Sequence, residues 1–317
     1  MMNALLSMIN QKKQLYAVFF ACAISDSLAA YEFEITKVND FVYSAIGDTS
    51  YPDDVNKGHN NNLTFVIGNK GVLVVNGGDN YKLAERLHRE IKKITKLPVT
   101  HVVNENGQGH AFLGNSYWRQ FNIPIIAHKD AIKAMNDNGT NVLNSMLKRN
   151  EDYGDNTKAI PATVSFDEKY KINLGELEVE IINFGHAHSP GDVSVWLPKH
   201  KLIIAGDIAF NDRLLGVFPD SDTRAWLTSF EALMALKPEV VVPGHGRPTD
   251  LATIKKYTYD YLVYLRTQAE EILDNDGGLA EAYKIDQSAW SHLDTFKELA
   301  GKNAGRIFQQ VEQEYFE

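Results

Sequence analysis

The chain has 317 residues, 41 acidic against 32 basic, for a net charge of −9. That balance leaves no cationic footprint, so nucleic acid is not an expected partner. A hydrophobic content of 44% supports a substantial core, in one large domain or two small ones.

Residues 1–30 read as a secretory signal. Lys12 and Lys13 precede an apolar run at 15–24, and Ser27-Leu-Ala29 offers a small-residue cleavage site. The run is too short to span a bilayer, so no stable membrane span is expected. Cys22, the sole cysteine, lies inside it, which leaves the rest of the chain without disulfides or a thiol ligand. A lipid on Cys22 is the weaker alternative, because Phe19-Phe-Ala21 is a poor acceptor context. The expected location is secreted, in a bacterial periplasm.

Residues 31–46 alternate apolar and polar side chains, as paired antiparallel strands do. Residues 47–62 form a polar loop, read either as a flap over a pocket or as a solvated connection, with His59 as a surface histidine. Two more strands follow at 63–67 and 71–75, around a turn at Gly68-Asn-Lys70. A helix over 82–95 then leads through Pro98 to a Val-rich strand, which opens into Asn104-Glu-Asn-Gly-Gln-Gly-His-Ala-Phe-Leu-Gly-Asn115. Strand ends that open into polar, Gly-rich loops are where α/β sheets place their chemistry. A helix over 116–121 and a short strand at 123–127 come next. Residues 130–158 read as a polar helical insertion, a roof over the site or a solvated connector; their Asn/Asp cluster lacks the closing glutamate of a calcium loop.

Three strands are expected within 162–182, then Phe184-Gly-His-Ala-His-Ser-Pro-Gly-Asp192, strands at 193–197 and 202–205, and Gly206-Asp207. A helix over 225–236 leads through Pro238 to Val240-Val-Val-Pro-Gly-His-Gly246. This helix–strand–histidine unit repeats the one ending at His110, which suggests two similar halves whose loops meet at one site. Thr249 and Asp250 can cap a helix over 251–273 that Gly277-Gly278 stops. A second helical region runs to residue 317. The aromatics of this tail read as packing.

The order of these motifs resembles the metallo-β-lactamase superfamily, in particular its secreted quinoprotein-relay or SoxH-like zinc hydrolases. The resemblance implies an α/β fold, a four-layer αββα sandwich over residues 31–250, with a C-terminal helical extension over 251–317 packed on it. In that family the leading motif is His-x-His-x-Asp-His before Gly-Asn. Registered without gaps on Val102-Val103-Asn104 and Gly114-Asn115, those four places hold Asn106, Gln108, His110 and Ala111. The usual Asp of the Asp-x-Gly anchor is Asn76 here. By contrast His188-Ser-Pro-Gly-Asp192, Gly206-Asp207 and Gly244-His245 match the family's later motifs.

The resemblance implies two metal places. The first takes Asn106, Gln108 and His188; the second takes His110, Asp207 and His245, with Ala111 contributing nothing. Two imidazoles and a carboxylate make a competent site for one zinc, whereas one imidazole and two amide oxygens are weak partners. A second ion would need a further donor such as His186. With an insertion in the loop, Asn104, Asn106 and Gln108 would take the ligand places instead. In either register His110, His188, Asp207 and His245 are the strong donors.

These residues support a secreted hydrolase of a small-molecule amide, ester, lactone or thioester, using one Zn2+ and a metal-activated water. His188 or Gln108 would orient water or substrate, and Asp207 would also serve as proton acceptor. The competing reading is an inactive member that keeps the pocket for binding, as a partner in a periplasmic redox or maturation system. A metal-free α/β binding module is the third.

Overall fold

The computed structural model describes residue 31 and residues 33–317; the expected signal segment and Cys22 lie outside the described residues. Among the described residues, twelve strands form two sheets. The first contains β1 (Ile35–Lys37), β2 (Val42–Ala45), β3 (Leu63–Ile67), β4 (Val72–Val75), β5 (Val99–Val103), β6 (Ile125–His128) and β7 (Val164–Phe166), side by side in chain order. The second contains β8 (Lys169–Asn173), β9 (Glu178–Ile182), β10 (Ser194–Leu197), β11 (Leu202–Phe210) and β12 (Val240–His245), also in chain order.

The two sheets share a plan. β1 to β4 are antiparallel and β4–β5 turns parallel; β8 to β11 are antiparallel and β11–β12 turns parallel. A parallel pair needs a long crossover, supplied by helix α1 (Tyr81–Ile94) in the first sheet and by a second helix, Thr223–Ala235, in the other. Asn80 caps α1 by accepting from Leu83 N, and Leu83, Leu87 and Ile91 form its buried stripe.

Strand alternation sorts the core. Val66, Leu73, Val75 and Val103 of the first sheet meet Val195, Leu197, Leu202 and Ile204 of the second in one inter-sheet cluster. The residues between them on the second sheet, Trp196, Ile203 and Ala205, face a helical layer that includes Trp226, Phe230, Tyr261 and Phe308. Truncating a fully buried aromatic such as Trp226 costs about 3–5 kcal/mol.

Residues 129–149 form one 21-residue helix, α2; the 223–235 crossover is α3. The helix expected over 251–273 is interrupted. A π-helical turn, Lys255–Tyr259, separates Leu251–Ile254 from α4 (Asp260–Asp274). The turn places the Thr258 hydroxyl 3.0 Å from Phe210 N, whose N–H it accepts at the end of β11.

The last helix, α5 (Phe296–Tyr315), buries Leu299, Ile307, Phe308 and Val311. It also holds the segment after β11. Asn303 accepts from Val217 N and donates to Leu215 O, while Gln310 accepts from Thr223 N and donates to Ser221 O. Packing therefore dominates the tail, as its aromatics suggest, and two amides, buried Asn303 and half-buried Gln310, fix its register. No helix among the described residues is long and apolar enough to cross a membrane.

Candidate metal centre

Asp207 lies inside β11, with parallel neighbour β12 ending at His245. Two glycines make room for it. A Cβ on Gly244 would stand 2.2 Å from Asp207 Oδ1, and one on Gly206, at φ +64, would stand 2.0 Å from Glu105 Oε2. The Gly-Asp and Gly-His pairs of the sequence are thus steric requirements for bringing two carboxylates and an imidazole together.

His110, Asp207 and His245 form the cluster. Their ligand atoms all lie within 4.8 Å of one another, and all three side chains are buried. His110 Nε2 is 3.3 Å from Asp207 Oδ2, and His245 Nε2 is 3.3 Å from Asp207 Oδ1. His188 Nε2 is farther away, 3.7 Å from Asp207 Oδ2. Its ring sits among Phe210, Phe218 and Trp226.

The donor set fits a cation. His245 Nδ1 lies 2.5 Å from the Asn60 carbonyl, so that nitrogen carries the proton and Nε2 presents a lone pair. Opposite that lone pair is Asp207 Oδ1, a buried oxygen with no hydrogen-bond partner. Two facing acceptors at this spacing repel unless a positive ion lies between them. Donors bonded tetrahedrally to zinc at about 2.0–2.1 Å are themselves about 3.3 Å apart, the separation seen here. His110 Nε2 is likewise buried without a directed hydrogen bond.

Charge in the cluster is tightly balanced. Burial pushes the Asp207 carboxyl up, but His245 and His110 outweigh it and hold it well below the usual range. Burial alone would lower His110; Asp207 and Glu105 carry it instead up to about 10. Burial takes His245 down to about 4 and also lowers His188.

The residues on the rewritten motif behave differently. Asn106 donates through Nδ2 to Asp207 Oδ2 at 3.3 Å, and its Oδ1 accepts from Gln108 N at 3.0 Å. It thus steadies Asp207 through its nitrogen while its oxygen holds the loop backbone. The Gln108 side chain lines the cavity. Ala111 contributes only its carbonyl, to Gly77 N and Asn104 Nδ2. Asn104 is locked to Ala111 and Asn115, so an insertion register that makes it a ligand has no support in the geometry. His186 turns away to the Asp220 carbonyl at 2.7 Å; residues 184–191 are loop, so the shared strand face that would aim it inward does not exist. Asp192 accepts from Ser189 N and Ser189 Oγ, closing the turn after His188.

Glu105 is the residue that motif reading passed over. It is 1% exposed, its Oε1 is 3.3 Å from His110 Nε2, and its Oε2 has no partner. Asn76 donates to that same Oε1 at 2.9 Å and accepts from Glu105 N. Asn76, where the resemblance expects a carboxylate, is therefore bonded to one, that of Glu105 at the end of the neighbouring strand. The available signal was a lone acid next to the strand end, opposite a missing one. His59 also departs from expectation. It is buried rather than at the surface, near the Ala45 carbonyl, and burial lowers it to about 4.

His110 and His245 line a cavity of about 410 Å3, and the buried Asp207 contacts both. Tyr51 and Pro52 of the 47–62 loop form one wall, and Asn138, Asn141 and Arg149 of α2 form another. The loop is therefore a wall, and the polar insertion is a roof. Asn62 pins the loop by donating to Pro243 O and Gly246 O beside His245. Arg149 pairs with Asp79, whose carboxyl burial pushes up to about 6 against the pull of that guanidinium.

Comparison with known proteins bears on the family and the fold. A family model described as the metallo-beta-lactamase superfamily matches residues 57–245, more than half the chain. The probable metallo-hydrolase YqgX of Bacillus subtilis is 26% identical over 200 residues, spanning 61% of this chain and 88% of that protein. A type 2 metallo-beta-lactamase of Bacillus cereus is 24% identical over 188 residues, spanning 57% of this chain and 65% of that one, just under two thirds of its length. The solved metallo-beta-lactamase from Pontibacter korlensis superposes with a TM-score of 0.57 at 19% identity, covering 73% of this chain and 99% of its own, a likeness of fold alone.

Proposed function

The chain belongs to the metallo-beta-lactamase superfamily, and from that membership we propose that it is a hydrolase using one zinc ion held by His110, Asp207 and His245. The observation carrying this reading is the pair of facing acceptors, Asp207 Oδ1 and His245 Nε2, beside a cavity that His245 lines. Zinc in such a place acts as a Lewis acid on a carbonyl and lowers the pKa of a water to about 7. Asn60 O fixes the His245 tautomer, and Asn106 holds Asp207 Oδ2. His188, neutral and lining the cavity, orients that water or the substrate carbonyl, and the Gln108 amide offers a donor to the developing oxyanion. The bond cleaved is an amide, ester, lactone or thioester of a small molecule. Secretion into a periplasm, read from residues 1–30, belongs to the same proposal.

Metal analysis of the purified protein is the test. About one zinc per chain, lost in His110→Ala or His245→Ala, supports the reading, and turnover of β-lactams, lactones, thioesters and phosphodiesters then identifies the bond. A protein that takes up no zinc on reconstitution removes it.

One observation favours a second reading. His110 Nε2 lies 3.3 Å from both Glu105 and Asp207, so a proton on that nitrogen would bridge the two carboxylates without any ion. In that case the chain is an inactive binding protein, a partner in periplasmic redox or maturation chemistry, and absence of zinc uptake is its expected result.

A further inference from the structure

β11 and β12 carry Asp207 and His245, yet their pairing is irregular close to both. The register shifts between Ile204 and Gly206 and again between Gly206 and Phe210, and a ladder broken in this way does not by itself fix the strand end. Phe210, opposite His245 in that pairing, is the residue left to be placed. Its ring stacks on the His245 imidazole, 5.2 Å between centroids and 11° between planes, and lies 5.6 Å from the His188 ring. Two imidazoles of the site thus rest on one phenylalanine.

Phe210 is held in turn from the C-terminal extension, beyond residue 245 where the match to the superfamily ends. Its backbone N–H donates to Thr258 Oγ1 at 3.0 Å, and Thr258 is fully buried. Thr258 lies in the π turn, which Asp260 closes by donating to Lys255 O, five residues back. An α-helix turns by about 100° per residue, so the extra residue of the π turn resets which side chain faces β11. Such turns are rare and concentrate where a helix serves a site. His245 is therefore gripped on two sides: Asn60 O takes the Nδ1 proton at one edge, and Phe210 covers a face. We propose that Thr258 is a positioning residue of the metal centre. By fixing the Phe210 backbone it fixes the plane of His245, and so aims Nε2 at Asp207 Oδ1. The ring geometry stands on its own; the zinc readout rests on the hydrolase reading.

The test is zinc affinity by competition with a chelator. Thr258→Val keeps the shape and removes the acceptor, and affinity should fall about tenfold. Thr258→Ser keeps the acceptor and should stay within about twofold of the unaltered protein. Leu87→Ala opens a cavity on the buried face of α1, in the other half of the molecule, and should lower stability while leaving zinc affinity within about twofold. Unchanged affinity in Thr258→Val overturns the proposal, as does an equal loss in Thr258→Ser or in Leu87→Ala. Should Thr258→Val not fold, Phe210→Leu decides, since it keeps the backbone bond and removes the ring: a loss of about tenfold supports the proposal, and unchanged affinity overturns it. Absent zinc uptake by the unaltered protein is a failure of the hydrolase reading alone. The proposal is then read on the metal-free protein, from the His245 ring-proton resonances that the stacked Phe210 ring shifts. They should move in Thr258→Val and stay in place in Thr258→Ser and Leu87→Ala; resonances unmoved in Thr258→Val overturn it.

Discussion

The two sheets deliver loops of the same kind to one cavity, yet the loops have been treated differently. The second sheet brings His188, Asp207 and His245. The first brings His110 and a row of amides, most of which have been given hydrogen-bonding work, while the Gln108 side chain lines the cavity. Asn104 braces the loop backbone, Asn106 holds Asp207, and Asn76 holds Glu105. The contrast teaches that losing a ligand type is not the same as losing a site. Polar groups left in a buried place must find partners, and here those partners are the remaining donors.

The largest effect should come from the half that kept its motif. Asp207→Asn removes the carboxylate that both imidazoles face, and zinc affinity should fall by about 1000-fold or more, read by competition with a chelator. A smaller loss would mean that Glu105 can hold the ion without it. Restoring the other half is the complementary test. Asn106→His with Gln108→His should raise the zinc count from about one to about two per chain, measured by elemental analysis; a count that stays at one would show that the loop backbone, not its side chains, has closed the first place. Asn76→Ala should be milder, weakening zinc about 10- to 100-fold by freeing Glu105 to swing.

The smallest expected effect lies away from the site. His88, on the buried face of α1, packs against Trp118 and Phe121, its Nδ1 2.8 Å from Tyr117 Oη, and burial lowers it from 6.5 to about 4. Between pH 6.5 and 4 the unfolded chain binds a proton that the folded one refuses. This contribution to stability is thus complete above pH 6.5 and lost progressively as pH falls through that window. His88→Gln should flatten the dependence of urea midpoint on pH there, while leaving zinc content unchanged.

Much of this was legible in the residues. Strands and helices follow from alternation and capping, and Gly206-Asp207 and Gly244-His245 stand out because the glycines flank the donors they make room for. What stayed hidden depends on contacts far apart in sequence. Glu105 matters because of Asn76, 29 residues away. His59 is buried by a loop whose composition suggests solvent. The roof was legible only as one of two readings, for a related reason: the face of α2 that meets the cavity bears Asn138, Asn141 and Arg149, and polar residues turned inward leave no mark in a hydrophobic pattern. The π turn at 255–259 is invisible because its purpose, an acceptor for Phe210 N, lies on another element.

The 47–62 segment has two attachments that bear on how the protein would behave over time. Tyr51 and Pro52 touch whatever fills the cavity, and eight residues beyond Pro52 the Asn60 carbonyl grips His245 from behind. Movement of this segment large enough to admit or expel a guest would tug on an imidazole of the candidate metal centre. If that centre holds zinc as proposed, guest exchange and ion escape are mechanically linked, and a tight-fitting inhibitor should lengthen the dwell time of zinc as well as block its own path out.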